Sequence, residues 1–457
     1  MNIVLPSQQD RNVFGRLLTI TLASLERLAM DISHTKLGLQ GIAKRAVVVD
    51  RIIANNYLIH IVEVWDGDGV WYSLEVRVPA WGWGRGITKE AIDALRSEVT
   101  TMRVLFETTP TATEGYTCGK VPWVWAWDPS VDNEIGAPYI CTNRLKGVPV
   151  SQIWHRRDML PGRLGQVRLN ILRSLTAVLK EFRSKSYDSM GCLAESVMHS
   201  APFMGPIYEW RENDDGSLRI VAMGPFPTVQ SYLNAHPLDN FGRKDVVLDR
   251  AVSRLMEPVN SVLHAVLSPS EPTTFEMAPP DLDADSIHVD YDGNVIGLSN
   301  WSLARTLPAA VARMMYPDWL TSEWHVPTPS NIFVMEGLKD PAPMLTNLRR
   351  FYHQHLAADF GEGHPAWLCD RRAPILEAMW LARIDRQHRL DLCGAIVERF
   401  SRVDPDFSPQ LLRMMGEEPD PDCCFLTSIQ TFVYEMAFPG AGAEMFYNGA
   451  ATFAFIV

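Results

Sequence analysis

The chain has 457 residues, more than one ordinary domain, which leaves one large bilobed unit or two to three modules. With 47% hydrophobic and 21% charged residues it has the composition of a globular protein with a sizeable core. A formal net charge of -12 argues against nucleic acid as a partner, though a nucleotide could still bind where a divalent ion or a few arginines reverse the local field.

Seven cysteines form no Cys-x-x-Cys pair, and an odd count suits a reducing compartment, so the vicinal Cys423-Cys424 is expected to be unreactive. No basic segment followed by an apolar run opens the chain, which predicts a cytoplasmic protein. The uncharged end, Met445 to Val457, has thirteen residues, too few to span a bilayer, and is expected to dock on the body. With no internal repeat and no low-complexity linker, one bilobed domain is expected.

Arg11 to Ile32 carries Val13, Leu17, Leu18, Leu22, Leu25 and Leu28 at helical spacing, which predicts one amphipathic lead-in helix. Ala46 to Ile53 and Leu58 to Trp65 read as strands joined by the turn Ala54-Asn55-Asn56-Tyr57. Asp66-Gly67-Asp68-Gly69 is a hairpin signal leading into a third strand, Val70 to Val78. A helix follows over Thr88 to Thr108, with Ile92, Leu95, Val99, Met102 and Leu105 on one face. Val121 to Trp127 and Pro138 to Thr142 complete a set of five strands and one helix. The alternating Trp123, Trp125 and Trp127 are expected to serve packing.

Helices dominate after Asn143. Leu145 to Pro149 reads as a crossing, Gln166 to Phe182 as a long helix, and Ile207 to Met223 as a hairpin around Asn213-Asp214-Asp215-Gly216. Val229 to Leu233, Lys244 to Leu267 and Pro374 to Phe400 are further helical stretches. Between them, Thr274 to Ala304 reads as loop, strand, turn, strand: Asp281, Asp283 and Asp285, then Ile287-His288-Val289, Asp292-Gly293-Asn294 and Val295 to Leu298.

This last layout resembles the catalytic segment of the aminoglycoside phosphotransferase and choline kinase-like family, within the protein-kinase-like fold. Val121-Pro122-Trp123-Val124 through Tyr139, and Tyr316-Pro317-Asp318-Trp319-Leu320, look like its fungal branch. The resemblance implies an α+β, bilobed protein with a small antiparallel five-stranded lobe and a larger, mainly helical one. It divides the chain into an N-terminal helical extension (1–45), the small lobe (46–144), the large lobe with its catalytic-type loop at 279–300 (145–420) and an apolar tail (421–457). It also implies ATP and Mg²⁺ as cofactors and a small-molecule hydroxyl compound as acceptor.

Onto this sequence the resemblance carries Asp281 as catalytic base, Ser286 and Asn300 as the two metal positions, and Arg77, Glu98, Thr142 and Arg144 as cofactor-binding residues. Three departures stand out. The family's His is Pro279, its metal-binding Asn is Ser286, and its metal-binding Asp is Asn300. Mg²⁺ favours carboxylates plus substrate phosphates, which neither Ser nor Asn supplies. Asp283 or Asp285 could substitute, or each could simply bond its own backbone in a turn. Arg77 keeps a positive charge but is bulkier and forked, so it does not replace a lysine.

The phosphate loop is expected at Ala54 to Tyr57, which has no glycine to let backbone approach a phosphate. Gly82-Trp83-Gly84-Arg85-Gly86 lies after the third strand and is expected to be a flexible connection. His353 and His355 are two apart on a helix and point to different faces, and no Gly-x-Ser-x-Gly elbow is present. Two functions remain open. One is a degenerate phosphotransferase homologue, a pseudokinase acting by binding. The other is an ATP-dependent small-molecule kinase with a rewired metal site.

Overall fold

The computed structural model describes residues 2–3, 6–54, 56–66, 69–108, 119–195, 201–212, 218–235, 246–267, 274–321, 340–358, 373–384, 386–403, 431–433 and 435–436. Cys423-Cys424, the turn residues 213–216, Asn55, residues 67–68 and the end from 445 to 457 lie outside them.

Strand β1 (Asn2–Ile3) precedes helices α1 (Gln8–Phe14) and α2 (Leu22–Thr35), with a 3-10 turn (Gly15–Thr19) between them. The single lead-in helix expected over 11–32 is therefore broken. Gly15 has φ 46°, outside the helical range, and a Cβ there would meet the Trp83 ring at 2.4 Å. The Thr21 hydroxyl then accepts the Ser24 N–H and starts α2 afresh.

Strands β2 (Arg45–Ile53), β3 (Tyr57–Trp65) and β4 (Val70–Pro79) pair antiparallel, and helix α3 (Lys89–Thr108) follows. Strands β5 (Val124–Asp128) and β6 (Tyr139–Asn143) close the sheet in the order β1-β2-β3-β4-β6-β5, with β1 parallel to β2 at the edge. The five antiparallel strands and one helix match the sequence expectation, and β1 is an addition. One face of the sheet packs on α1 and α2 through Phe14, Leu25, Leu28, Val48, Val62 and Val76. The other packs on α3 through Leu95, Val99, Met102 and Ile140. Burial on both faces explains why these strands read as nearly continuous apolar runs. Gly82 to Gly86, expected as a flexible connection, ends in a 3-10 turn, and the Trp83 indole N–H donates to the Val13 carbonyl at 3.0 Å.

The remainder is mainly helical. Strand β7 (Val148–Pro149), α4 (Val150–Ile153) and α5 (Pro161–Phe182, with proline in its first turn) lead to β8 (Ser186–Tyr187), β9 (Cys192–Ala194), β10 (Phe203–Gly205) and the hairpin β11 (Ile207–Glu212)/β12 (Leu218–Met223). Helices α6 (Val229–Ala235) and α7 (Val246–Leu267) precede β13 (Phe275–Ala278), β14 (Ile287–Val289), β15 (Val295–Leu298) and β16 (Arg305–Pro308). Helices α8 (Ala309–Met314), α9 (Ala342–Ala358), α10 (Ala373–Ile384) and α11 (Arg386–Val403) follow, and the helical stretch expected over 374–400 consists of the last two, which pack on each other. No described helix is long and apolar enough to cross a membrane.

Two small sheets position the candidate site. β14 pairs with β15 and, on its other side, with β7, so the crossing from the sheet lands directly beside the aspartate-rich hairpin. Gly147 makes that approach possible. Its φ is 86°, and a Cβ there would lie 2.3 Å from the Val289 carbonyl. β13 pairs with β16 and β8, bracketing the segment that reads as loop in sequence.

Candidate functional site

The upper side of the site is built on β4 and α3. Strand periodicity puts Glu75 and Arg77 on one face, opposite the face that packs on α1 and α2. Glu98 reaches that face from α3. The structure brings Arg77 and Glu98 together, Nη1 to Oε1 at 3.2 Å, with side chains 4% and 2% exposed. Arg77 Nη1 also donates to the Ser299 carbonyl at 3.0 Å, which ties the sheet to the end of β15. Its Nε lies 3.9 Å from Glu75 Oε1. The Tyr57 ring covers the guanidinium, 4.5 Å from ring centroid to Cζ, and the Tyr57 hydroxyl donates to Glu98 Oε2 at 2.6 Å.

Burial works against the Arg77 charge, but Glu98, Tyr57 and Glu75 outweigh it and keep the guanidinium protonated. Burial pushes the Glu98 carboxyl up, against the pull of Arg77 and of the Tyr57 hydroxyl. Glu75 is also raised by burial, with Arg77 and Arg144 opposing. One buried cation thus serves two carboxylates.

The lower side is the hairpin. Asp290 accepts the backbone N–H groups of Asp292 and Asn294, and Asn170 of α5 donates to the Asp292 carbonyl at 2.8 Å. Gly293, at φ 85°, brings this turn against the Val167 carbonyl, where a Cβ would lie at 2.4 Å. The pairing of Ile287 with Leu298 sets Ser286 beside Ser299, whose N–H donates to the Ser286 carbonyl at 2.9 Å. The two expected metal positions therefore lie at the ends of paired strands, with Asn300 one residue beyond the partner of Ser286.

Neither side chain is offered outward as it stands. The Ser286 hydroxyl bonds Asp283, and Asn300 Oδ1 accepts the Ser302 N–H at 3.2 Å. Asp283 also accepts the N–H groups of Asp285 at 2.9 Å and Ser286 at 2.7 Å, the turn role left open for it above. Asp281 and Asp285 are exposed, flanking the buried Leu282 and Ala284. Among the described residues no three His, Cys, Asp or Glu side chains converge where they could hold a metal ion.

Two carboxylates from farther along the chain complete the lower side. The Asp318 N–H donates to the Leu282 carbonyl at 3.1 Å, and Glu377 Oε1 accepts the Tyr316 N–H at 2.9 Å. Asp318 Oδ1 and Glu377 Oε2 are buried with no hydrogen-bond partner among the described residues. Burial, then repulsion between neighbours, lifts all three inner acids. Asp283 rises to about 6, with Asp281 and Asp285 contributing. Glu377 rises to about 8, with Asp318 contributing. Asp318 rises well above its ordinary value, with Asp283 contributing. At neutral pH Glu377 then keeps its proton, whereas Asp283 is still mostly ionised.

At the crossing, Thr142 lies on β6 opposite Glu75, 1% exposed, its hydroxyl without a partner among the described residues. The Arg144 side chain is exposed, while its N–H donates to the Ser73 carbonyl at 3.0 Å. The charge of Arg144 reaches Glu75 and His288, and burial together with that charge lowers His288 to about 4. On α9, His353 meets the Tyr316 hydroxyl at 3.4 Å while His355 stacks on Phe351.

Sequence reasoning missed Tyr57, Glu75 and Glu377. The first two carry a signal, since Tyr57 ends the expected phosphate loop and Glu75 is two residues from Arg77 on the same strand face. Glu377 shows only as a lone carboxylate in the apolar run Ile375 to Trp380.

No family model matches the chain, and no curated protein matches it. Among solved structures the chain is similar to a type I macrolide 2'-phosphotransferase, at 12% identity, covering 85% of this chain and 96% of that one with a TM-score of 0.33. It is also similar to an ethanolamine kinase of Plasmodium vivax, at 11% identity, covering 77% of this chain and 83% of that one with a TM-score of 0.35.

Proposed function

We propose that this chain is a phosphotransferase-like domain of the aminoglycoside phosphotransferase and choline kinase type, a pseudokinase that acts by binding rather than by transfer. The observation that carries this reading is the pair Ser286 and Asn300. The Ser286 carbonyl accepts the N–H of Ser299, the residue before Asn300, and both side chains are engaged with their own loops. Phosphoryl transfer depends on metal ions to neutralise charge developing on the phosphates. A serine hydroxyl bound to Asp283 and an asparagine amide do not fit Mg²⁺, which is held by carboxylates and substrate oxygens.

What remains is binding chemistry. Arg77 and Glu98 keep the cation and its partner, and Thr142 and Arg144 border the crossing where a ligand of nucleotide class would lie. The second reading, an ATP-dependent O-phosphotransferase with a rewired metal site, is favoured by Asp281 alone. It is exposed and has Pro280 and Leu282 as neighbours, so it could accept a proton from an acceptor hydroxyl.

Titration calorimetry with ATP and Mg²⁺ separates the two. The pseudokinase reading expects no metal-dependent heat and no ATP turnover across a library of hydroxyl compounds. Metal-dependent binding in the micromolar range removes it. In that event Asp281→Ala must abolish the turnover, and unchanged turnover removes the second reading as well.

A further inference from the structure

The cation on the upper side of the cleft is already covered from within the chain. A guanidinium offers its N–H groups along the edges of one plane, and a phosphate needs an edge to bond. On Arg77, Nη1 is taken by Glu98 at 3.2 Å and by the Ser299 carbonyl at 3.0 Å. The Nε edge looks toward Glu75 at 3.9 Å. The Tyr57 ring lies on the flat face at 4.5 Å. Only 4% of the side chain remains exposed.

The turn before β3 explains why a tyrosine lies there. Ala54 and Tyr57 exchange backbone hydrogen bonds at 2.9 and 3.4 Å, a tight reversal with no glycine. The Ala80 N–H donates to the Asn56 carbonyl at 2.9 Å and fastens this turn to the end of β4. Tyr57, opposite Pro79, then points to the face that carries Arg77. Its hydroxyl is held by Glu98 at 2.6 Å.

We propose that Tyr57 is an intramolecular plug: its ring covers the flat face of Arg77 and its hydroxyl holds Glu98 on the guanidinium edge, closing the cleft to polyphosphate compounds until the ring is displaced. The plug rests on reading Arg77 as the phosphate-facing cation of the proposed phosphotransferase-like cleft. The covered cation is itself tied to the lower side, since Arg77 donates to the Ser299 carbonyl at 3.0 Å. A polyphosphate must displace a cation–π contact and a charge-assisted hydrogen bond before it gains its own.

Inorganic tripolyphosphate, titrated without divalent metal, tests this. The wild-type chain is expected to bind no tripolyphosphate up to about 1 mM, and folded Tyr57→Ala to bind at least about tenfold more tightly. Tyr57→Ala/Arg77→Met should lose that gain. Tyr57→Phe keeps the ring, opens no cavity and gives up only the hydroxyl, and it should gain about threefold. Circular dichroism and thermal melting establish which variants are folded.

The plug is overturned if wild type binds as tightly as Tyr57→Ala. It is equally overturned if the folded variants among Tyr57→Ala and Tyr57→Phe gain nothing, or if the gain survives loss of Arg77. These outcomes are independent of catalysis. Wild type that turns over ATP with Mg²⁺ would end the pseudokinase reading, while a metal-free gain on removing Tyr57 would still support the plug.

Discussion

The two sides of the candidate site handle buried charge in opposite ways. Above, Arg77 sits among Glu98, Glu75 and Tyr57, and opposite charges hold one another in place. Below, Asp283, Asp318 and Glu377 gather with no described cation among them, and each carboxyl is driven toward its protonated form. A buried ion pair is fragile toward loss of one partner, because the survivor is stranded in a low dielectric. A buried acid cluster is fragile toward pH instead, because its only relief is to take up protons.

The largest expected effect comes from breaking the upper pair. Glu98→Ala removes the principal partner of Arg77 and the acceptor of the Tyr57 hydroxyl together. Stranding a buried charge costs about 3–5 kcal/mol. Chemical denaturation at neutral pH should show a loss of that order. A loss below about 1 kcal/mol would mean that Glu75 replaces Glu98, and the upper side would then be no better paired than the lower.

Next in size is the pH response of the lower side. Glu377 is raised from 4.5 to about 8, so between those values the folded chain binds more protons than the unfolded one. Unfolding free energy therefore falls as pH rises across this window, and the stabilisation is fully present only below the unfolded value. Between pH 5 and 8 the wild type should lose on the order of 1–3 kcal/mol through this group. Glu377→Gln keeps an oxygen for the Tyr316 N–H and removes the titration, so its stability should be flatter over the same range and higher at pH 8. A variant with the wild-type slope would show that Glu377 does not carry the effect.

The upper side was more legible in sequence than the lower, for physical reasons. Strand and helix periodicity around β2, β3, β4 and α3 is local, and on those elements the resemblance singled out Arg77 and Glu98. The hairpin turn at Gly293 and the register that sets Ser286 beside Ser299, one residue before Asn300, follow from residues a few positions apart. The lower acids depend on long-range closure. Asp318 meets Leu282 and Glu377 meets Tyr316 through backbone bonds that no spacing announces. The pairing of β13 with β16 is equally non-local and reads as loop in sequence. Tyr57 is an intermediate case. Alternation gives its face, but only the tight turn at Ala54 decides that the ring folds over Arg77.

The smallest effect asks whether the upper side is as fully paired as it looks. Thr142 is one exception, a hydroxyl buried opposite Glu75 with no partner among the described residues, and Arg77 Nε and Glu98 Oε1 likewise lack a hydrogen bond. Thr142→Val keeps the β-branched shape and removes an unsatisfied polar atom, so desolvation favours the variant while little packing changes. The expected outcome is between no change and about 1 kcal/mol of added stability, read as a rise of a few degrees at most in Tm. A loss of about 1 kcal/mol or more would mean that the hydroxyl does find an acceptor. The nearest one by register is the Glu75 carboxylate, which would then share its charge between Arg77 and Thr142 and extend the paired network to the crossing.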